Sequence, residues 1–235
     1  MKALPVFAMI ALLAGTAATS SAEDNQQVLV ATASNTTTNQ LLVYDTAGKL
    51  IQTLATGGQG GASGNAGGIA ARGSLLAVVN TGSQSVSVFG RDDNGFHLRR
   101  VVSTAFSPLS VAFGQNHLYV LTAALVESYK LYGSDVAANP DGVATLLKAD
   151  GTAAQVGVLV NQLILTEKSN AIEIVALDTD GAITGSITPV GNIPANVNTP
   201  FGLVTRGNDA YVTIAHADEI RSGSQRPGSY HDAYQ

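Results

Sequence analysis

The sequence predicts an all-β protein, a β-propeller built from four-stranded antiparallel blades. Three observations lead to this prediction: a repeated apolar segment, the alternation of residue types that follows it, and regularly spaced turn signals. Five copies of the apolar segment are in register at Leu29, Leu76, Leu118, Leu163 and Ala210. The spacings are therefore 47, 42, 45 and 47 residues. A period in the forties made of short strands is typical of propeller blades.

The second copy shows the expected interior of one blade. Its apolar run at 75–79 is followed by residues 85–89, which alternate with a period of two, as a strand with one buried face does. The segment 92–95, Asp-Asp-Asn-Gly, predicts a tight hairpin because Asn-Gly readily adopts positive φ angles. Residues 96–102 then form a fourth strand, and the charge of Arg99 and Arg100 suits its exposed outer edge.

The inner strands of the blades are predicted at Ile69, Val111, Val156 and Leu203. The first copy contains three recognisable strands, the next three copies contain four each, and the last contains two. About four to five blades are therefore present, which do not close a ring. We expect the inner edge of the first unit and the strand at 210–214 to lack partners, and such exposed edges promote aggregation.

Composition excludes several classes of function. The formal net charge is −5 and no basic cluster exceeds the Arg99–Arg100 pair, so a nucleic-acid partner is excluded. The absence of cysteine excludes disulfides and lipid attachment through a cysteine. The glycine-rich stretch 57–61 has no helix pattern behind it, so we interpret it as a connection between blades rather than a phosphate-binding loop. No cofactor is predicted.

The first 22 residues are predicted to be a signal peptide that precedes the blades at 23–220. Lys2 supplies the positive charge, residues 3–13 form a short apolar core, and residues 20–22 are small enough for cleavage before Glu23. The apolar run is short for a bilayer span, so the alternative of an uncleaved, permanent membrane anchor is the weaker interpretation. We expect an exported protein, periplasmic or extracellular.

The candidate site lies on the loops that join the second and third strands of each blade, because these loops share one face around the channel. They carry Asn80, Glu167, Lys168, His216, Asp218 and Glu219. Acid–base catalysis needs a group that transfers a proton, and a cation stabilises oxyanion or carboxylate charge. We therefore predict Glu167 and His216 as catalytic residues, and the other four as substrate-binding residues.

Alternative interpretations of these residues stay open. Glu167, Lys168 and His216 could be ordinary solvated turn residues, as charged turn residues often are. His216, Asp218 and Glu219 have the ligand types of a metal site, but nothing sets their spacing, so no metal is predicted. His97 and His117 flank strands and are expected to be satisfied locally.

Three segments carry a resemblance to a known family. They are residues 164–174 with Asp-Thr-Asp-Gly at 178–181, residues 83–89 with Asp-Asn-Gly at 93–95, and residues 199–203. From about Gln26 to Ile220 the chain resembles the lactonase-like seven-bladed β-propeller family, which includes propeller-type 6-phosphogluconolactonases and carboxymuconate cyclases. The resemblance implies a lactone or sugar as the small-molecule partner, and hydrolysis or formation of a sugar-derived or carboxylated lactone.

The sequence also departs from that family. Pro108 and Pro200 keep the proline that usually precedes an inner strand, whereas the turns at Gly67 and Gln155 lack it. The resemblance places no catalytic Arg or His in this chain. A second function therefore stays open, that of a non-enzymatic secreted or periplasmic propeller acting as a binding or surface scaffold.

The C-terminal residues 221–235 differ from every other unit. They are polar, without alternation, and are expected to be unstructured. About 213 residues follow the predicted signal peptide, fewer than the seven blades implied by the resemblance require. Our hypothesis is a truncated chain with an out-of-frame tail. The alternative is a naturally disordered C-terminus.

Overall fold

The computed structural model describes residues 29–190, 199–215, 219–224 and 230–232, so the predicted signal peptide lies outside the described residues. Within these ranges the chain folds into β-strands in five sheets, with one turn of 3-10 helix at Thr81–Ser83. The described part of the chain has no helix long and apolar enough to cross a membrane.

The sheets follow the chain in sequence order. The first contains β1 (Leu29–Ala33), β2 (Gln40–Asp45) and β3 (Leu50–Ala55). The second contains β4 (Ile69–Arg72), β5 (Leu75–Asn80), β6 (Ser85–Asp92) and β7 (Gly95–Ser103). The third contains β8 (Pro108–Gly114), β9 (His117–Thr122), β10 (Leu125–Tyr132), β11 (Asp135–Val136) and β12 (Gly142–Thr145).

The last two sheets have four strands each. The fourth contains β13 (Ala153–Val158), β14 (Gln162–Glu167), β15 (Ala171–Leu177) and β16 (Ile183–Pro189). The fifth contains β17 (Pro200–Arg206), β18 (Asp209–Ile214), β19 (Glu219–Ser224) and β20 (Tyr230–Asp232). In every sheet the hydrogen-bonded strands run antiparallel, as blades do.

The predicted inner strands are confirmed. Ile69, Val111, Val156 and Leu203 lie in the first strands of the second to fifth sheets. These first strands contact one another in succession, β4 with β8, β8 with β13, and β13 with β17, which places them on the inner side of the arrangement. The all-β prediction and the prediction of propeller blades are both confirmed.

Apolar residues fill the space between successive sheets. In β5 the side chains of Leu76 and Val78 pack toward the first sheet, whereas Ala77 and Val79 pack toward the third. The same alternation builds a core between the third and fourth sheets and another between the fourth and fifth. Each sheet therefore depends on its neighbours to bury its apolar faces.

The first and last sheets each expose apolar side chains. Val30 in β1 is 56% exposed and Val204 in β17 is 62% exposed, and Ile51 and Tyr211 are also exposed. Within the described residues β1 pairs with β2 alone, in agreement with the expectation that the inner edge of the first unit is unpaired. Both end sheets thus bury one face against a neighbouring sheet and leave large apolar groups on the other.

Two expectations about the C-terminus need correction. The strand at 210–214 does not lack partners, because β18 pairs with both β17 and β19. Residues 221–224 and 230–232, which were expected to be unstructured, belong to β19 and β20, so the last sheet has four strands instead of two. The free edge of β18 offers backbone N–H and C=O groups that any extended segment can satisfy, and this pairing needs no alternation of side chains. The out-of-frame origin of the tail stays a hypothesis.

Candidate functional site

Two of the predicted site residues, Asn80 and Glu167, fall at one repeated structural position. The first member of each pair is the last residue of a sheet's second strand. The second member lies on the same face of the third strand, two residues after the residue that pairs directly with the first. We call such a combination a rim pair. The register defines three rim pairs, Asn80 with Ser87, Thr122 with Glu127, and Glu167 with Glu173. Each rim pair caps the apolar core between its own sheet and the preceding one, since it shares a face with core residues.

The first rim pair forms a complete hydrogen-bond network between the first and second sheets. Asn80 Oδ1 accepts hydrogen bonds from Asn39 Nδ2 at 2.9 Å and from Thr56 Oγ1 at 2.8 Å. Asn80 Nδ2 donates to Ser87 Oγ at 2.7 Å. Gly58 passes so close that a Cβ there would lie 2.5 Å from Asn80 Cγ, which explains the glycine at this position. The Asn80 amide is therefore engaged within the protein.

The second rim pair is also satisfied. Thr122 Oγ1 donates to the carbonyl of Leu125 at 2.8 Å. Glu127 accepts hydrogen bonds from the backbone N–H of Ala105 at 3.3 Å and from the hydroxyl of Tyr129 at 3.0 Å. Burial raises the pKa of the Glu127 carboxyl above its ordinary value, although both hydrogen bonds oppose that shift. Glu127 thus joins the third sheet to the connection that enters it from the second.

The third rim pair places two carboxyl groups together. Glu167 and Glu173 are both 0% exposed. Glu173 Oε1 accepts the backbone N–H of Leu147 at 3.0 Å, whereas its other oxygen and both oxygens of Glu167 have no hydrogen-bond partner. The expectation that Glu167 could be a solvated turn residue is wrong, because the core between the third and fourth sheets encloses it.

Burial and mutual repulsion control the ionisation of this pair. Burial, followed by the negative charge of Glu173, raises the pKa of Glu167 to about 8. A hydrogen bond between the two carboxyl groups, which forms when one of them holds a proton, and the charge of Asp150 act in the same direction, and the charge of Lys148 opposes them. Burial also raises the pKa of Glu173. A proton held by Glu167 at neutral pH is therefore available to be shared with Glu173, as in other closely spaced carboxyl pairs.

Lys168 is committed to a different contact. Its Nζ donates to the carbonyl of Gly64 at 2.5 Å. Gly64 belongs to residues 57–68, which we call the glycine-rich segment and which connects β3 with β4. The backbone N–H of Ala66 also donates to Ala154 in the fourth sheet at 3.0 Å. The segment is a connection between blades, as predicted, and it extends from the first sheet to the fourth.

Of the three remaining predicted site residues, the structure describes only Glu219. His216 and Asp218 lie outside the described residues. Glu219 begins β19 and is paired in register with Ile214. The prediction for His117 is confirmed: Nδ1 lies 2.9 Å from the carbonyl oxygen of Gln115, and Nε2 lies 2.8 Å from Asp141 Oδ2. His97 lies 3.6 Å from Asp92.

Sequence reasoning missed Glu127 and Glu173. Each of them interrupts the apolar pattern of the third strand in its sheet. Glu127 pairs with Val120 and Glu173 pairs with Leu165, which are equivalent positions in the two sheets. A carboxylate within a third strand was the available signal. Differing turn lengths between the second and third strands hid the equivalence in the sequence, since the two turns contain two and three residues.

An apolar cleft of about 340 Å³ lies away from the rim pairs, between the first and second sheets. Leu29 and Ala31 of β1 line one side of the cleft, and Ile69, Leu75 and Phe96 line the other. Arg91 also lines the cleft, whereas none of the rim-pair carboxyl groups does.

Comparisons with known proteins bear on the fold. The sequence matches no protein-family model and no curated protein. Among solved structures, a putative 6-phosphogluconolactonase from Bacteroides uniformis superposes with a TM-score of 0.65 at 16% identity, covering 90% of this chain and 68% of that protein. A protein from Lactobacillus plantarum gives a TM-score of 0.65 at 18% identity, covering 88% and 67%. Hsv2 from Kluyveromyces lactis gives 0.53 at 14% identity, covering 81% and 56%.

These identities are low enough that the likeness concerns the fold. The chain spans about two thirds of the length of the first two proteins. The resemblance noted in the sequence is confirmed at the level of the fold, which this chain shares with a putative 6-phosphogluconolactonase.

Proposed function

We propose that this protein is an exported lactonase-like propeller that hydrolyses or forms a sugar-derived or carboxylated lactone. The observation that carries the proposal is the third rim pair. Glu167 is a fully buried carboxyl group whose pKa is raised to about 8, and it is the last residue of the second strand of its sheet. Strongly perturbed pKa values of this kind cluster at catalytic sites.

The chemistry of lactone opening matches such a pair. A carboxylic acid that stays protonated near pH 7 can donate a proton to the leaving ring oxygen, and its conjugate base can activate water. In this proposal Glu167 transfers the proton and Glu173 holds its pKa high. His216 is the second proton-transfer group, and Lys168, Asp218 and Glu219 contact the substrate. Asn80 acts as a positioning residue, because its amide is already engaged by Asn39 and Thr56.

A specific observation favours the second function, a binding or surface scaffold. Glu167 has no exposed surface, and the Lys168 ammonium is bonded to Gly64. A carboxyl group without exposed surface and an ammonium group already bonded within the protein are poorly placed to contact a small molecule. In a scaffold, the carboxyl pair would serve only to join the third and fourth sheets.

An assay of ring opening on a panel of aldonolactones, including 6-phosphogluconolactone, distinguishes the two functions. The proton released on ring opening is the signal that the assay measures. We expect Glu167→Gln to lower kcat/KM by about 100-fold or more, the usual effect of removing a general acid or base. Glu127→Gln is the control, since Glu127 is a buried rim glutamate, equivalent in position to Glu173 and outside the proposed chemistry. Wild-type protein that opens none of the lactones supports the scaffold. A fully active Glu167→Gln variant would place the chemistry elsewhere.

Export is tested separately. We expect the protein recovered from the periplasm or medium of an expressing bacterium to begin at Glu23, after removal of residues 1–22. Recovery of the intact N-terminus from the cytoplasmic fraction alone would contradict the exported location.

A further inference from the structure

The turn between β14 and β15 concentrates unsatisfied oxygen atoms. Among the described residues, the buried side-chain N and O atoms without a hydrogen-bond partner are Glu167 Oε1, Glu167 Oε2, Asn170 Oδ1 and Glu173 Oε2. All of them are acceptors, and all come from one seven-residue stretch. Buried polar atoms in folded proteins are nearly always paired, so such a concentration indicates a missing donor or cation.

The neighbouring cationic side chains do not meet this need. Lys148 Nζ donates to the carbonyl of Ser169 at 2.7 Å, and Lys168 Nζ donates to Gly64. A single proton shared by Glu167 and Glu173 would engage one oxygen of each. It would leave the second oxygen of Glu167 and the amide oxygen of Asn170 unsatisfied. One proton is therefore too little for the atoms that are present.

The other rim pairs show that this is not a general property of the position. Asn80 and Ser87 bond to each other, and Glu127 receives a donor on each oxygen. Glu127 is a close internal reference, because it is also a buried glutamate at the same step as Glu173. The polar groups of two rim pairs are therefore satisfied without a ligand, whereas those of the third rim pair are not.

We propose that this turn binds a hard divalent cation of the Ca²⁺ type, with Glu167, Glu173 and Asn170 supplying the protein oxygens. Carboxylate and amide oxygens are the ligands that Ca²⁺ uses, and the absence of nitrogen or sulfur from the set disfavours the softer transition metals. Within the described residues no three His, Cys, Asp or Glu side chains form a cluster, so only two carboxylates take part. Backbone carbonyls and water complete the 6–8 ligands. With few charges the affinity is expected on the order of 10⁻⁴ M.

Cation and proton compete for the same oxygens. The charged groups that act on Glu167 are Glu173 from β15, and Asp150 and Lys148 from the connection between β12 and β13. Because the cation needs both carboxylates ionised, it competes with any proton that the pair holds. We therefore expect binding to strengthen as the pH rises. The inference depends on the unsatisfied oxygens and not on lactone chemistry.

Calorimetric titration of the full chain with CaCl₂ tests the proposal without any lactone. We expect one site per chain, with a dissociation constant at least 10-fold lower at pH 8.5 than at pH 6. Glu167→Gln and Glu173→Gln should each weaken binding at least 10-fold. Glu127→Gln is the matched control and should bind as the wild type does.

Three results would overturn the proposal. The first is the absence of saturable binding by folded wild-type protein up to 10 mM CaCl₂ at pH 8.5. That result would mean that the carboxyl pair only shares a proton. Equal binding by Glu167→Gln and wild type would place any cation elsewhere. If a variant fails to fold, the thermal midpoint of wild-type protein decides instead: 10 mM CaCl₂ should raise it relative to NaCl of equal ionic strength, and no rise contradicts the site. Failure of the lactone assay leaves all of these results unchanged.

Discussion

The first and third rim pairs occupy the same step of the repeat and solve the same packing problem in opposite ways. Between the first and second sheets, Asn80 provides a donor and an acceptor, and its neighbours Asn39, Thr56 and Ser87 use both. Between the third and fourth sheets, Glu167 and Glu173 provide acceptors only, and three of their four oxygens have no donor. One interface is closed by hydrogen bonds, and the other lacks donors.

This difference separates a structural position from a candidate functional one. A neutral amide can satisfy a buried position at little cost, whereas a buried carboxyl pair retains a cost unless it binds a proton or a cation. A protein that needed only to join two sheets could use the amide in both places. We therefore expect ionisation, ligand binding and stability to be coupled at the carboxyl pair.

The largest expected effect on stability is at the hydrogen-bonded interface between the first and second sheets. Asn80→Ala removes hydrogen bonds to several buried groups and opens a void, so we expect the free energy of unfolding to fall by about 3 kcal/mol. Urea denaturation followed by circular dichroism measures this. Asn94→Ala, in an exposed hairpin turn, should change it by less than about 0.5 kcal/mol. Equal effects of the two substitutions would show that the Asn80 network does not stabilise the interface.

The pH dependence of the unfolding free energy should come from the carboxyl pair between the third and fourth sheets. The pKa of Glu167 is raised from 4.5 to about 8, so the folded state binds this proton more tightly than the unfolded chain does. The resulting stability is fully present below about pH 4.5 and is lost as the pH rises to about 8. Without divalent cations, we expect a loss of up to about 1.4 kcal/mol per pH unit across this range.

Glu167→Gln sharpens this comparison, because the glutamine supplies an uncharged donor to Glu173. We expect its unfolding free energy to vary less with pH than that of the wild type between pH 5 and 8, measured by denaturant titration in a chelating buffer. Glu127→Gln controls for the other buried carboxyl group. A wild-type stability that stays constant over this range would contradict a raised pKa for Glu167.

A smaller effect is expected from the exposed link between the second and third sheets. Arg100 bonds to both carboxylate oxygens of Asp135, at 2.9 and 2.7 Å, and this contact lowers the pKa of Asp135 to about 2. Asp135→Asn should lower the thermal midpoint by roughly 2 °C or less, because exposed ion pairs contribute little. In 1 M NaCl the difference should disappear. A loss that persists in high salt would indicate a packing role.

The smallest change in global stability is expected for Lys168→Ala. It removes the side-chain contact with Gly64 but leaves the backbone bond from Ala66 to Ala154. We expect less than about 0.5 kcal/mol of global destabilisation, together with faster hydrogen exchange of the Ala66 amide. Lys49→Ala, outside this contact, should leave that exchange rate unchanged. Unaltered exchange in Lys168→Ala would show that Lys168 does not restrain the glycine-rich segment.

The repeat period and the alternation within each copy predicted the strands well. The inner strands at Ile69, Val111, Val156 and Leu203 are present, and the outer strand carrying Arg100 lies at a sheet edge. These features depend on local sequence pattern, which reports directly which face of a strand is buried. The strand β19 was missed because its pairing depends on the free backbone edge of β18 and not on its own side chains.

The candidate site was predicted in part. The end of the second strand in each repeat led to Asn80 and Glu167, because chain order alone places those residues on one face. Glu173 and Glu127 were missed, because they are far along the chain from the connections that they contact, at Leu147 and Ala105. Their equivalence follows from strand register, which turns of different length conceal.

By itself, the sequence determined the blade repeat, the inner strands and the face on which the rim residues lie, since each follows from local periodicity. Only the tertiary structure decided that Glu167 is buried, that Glu173 lies beside it, and that Asn80 is satisfied while Glu167 is not. Whether a polar side chain has a partner depends on groups from other sheets and connections. Its ionisation follows from those groups and from burial, neither of which a linear pattern contains.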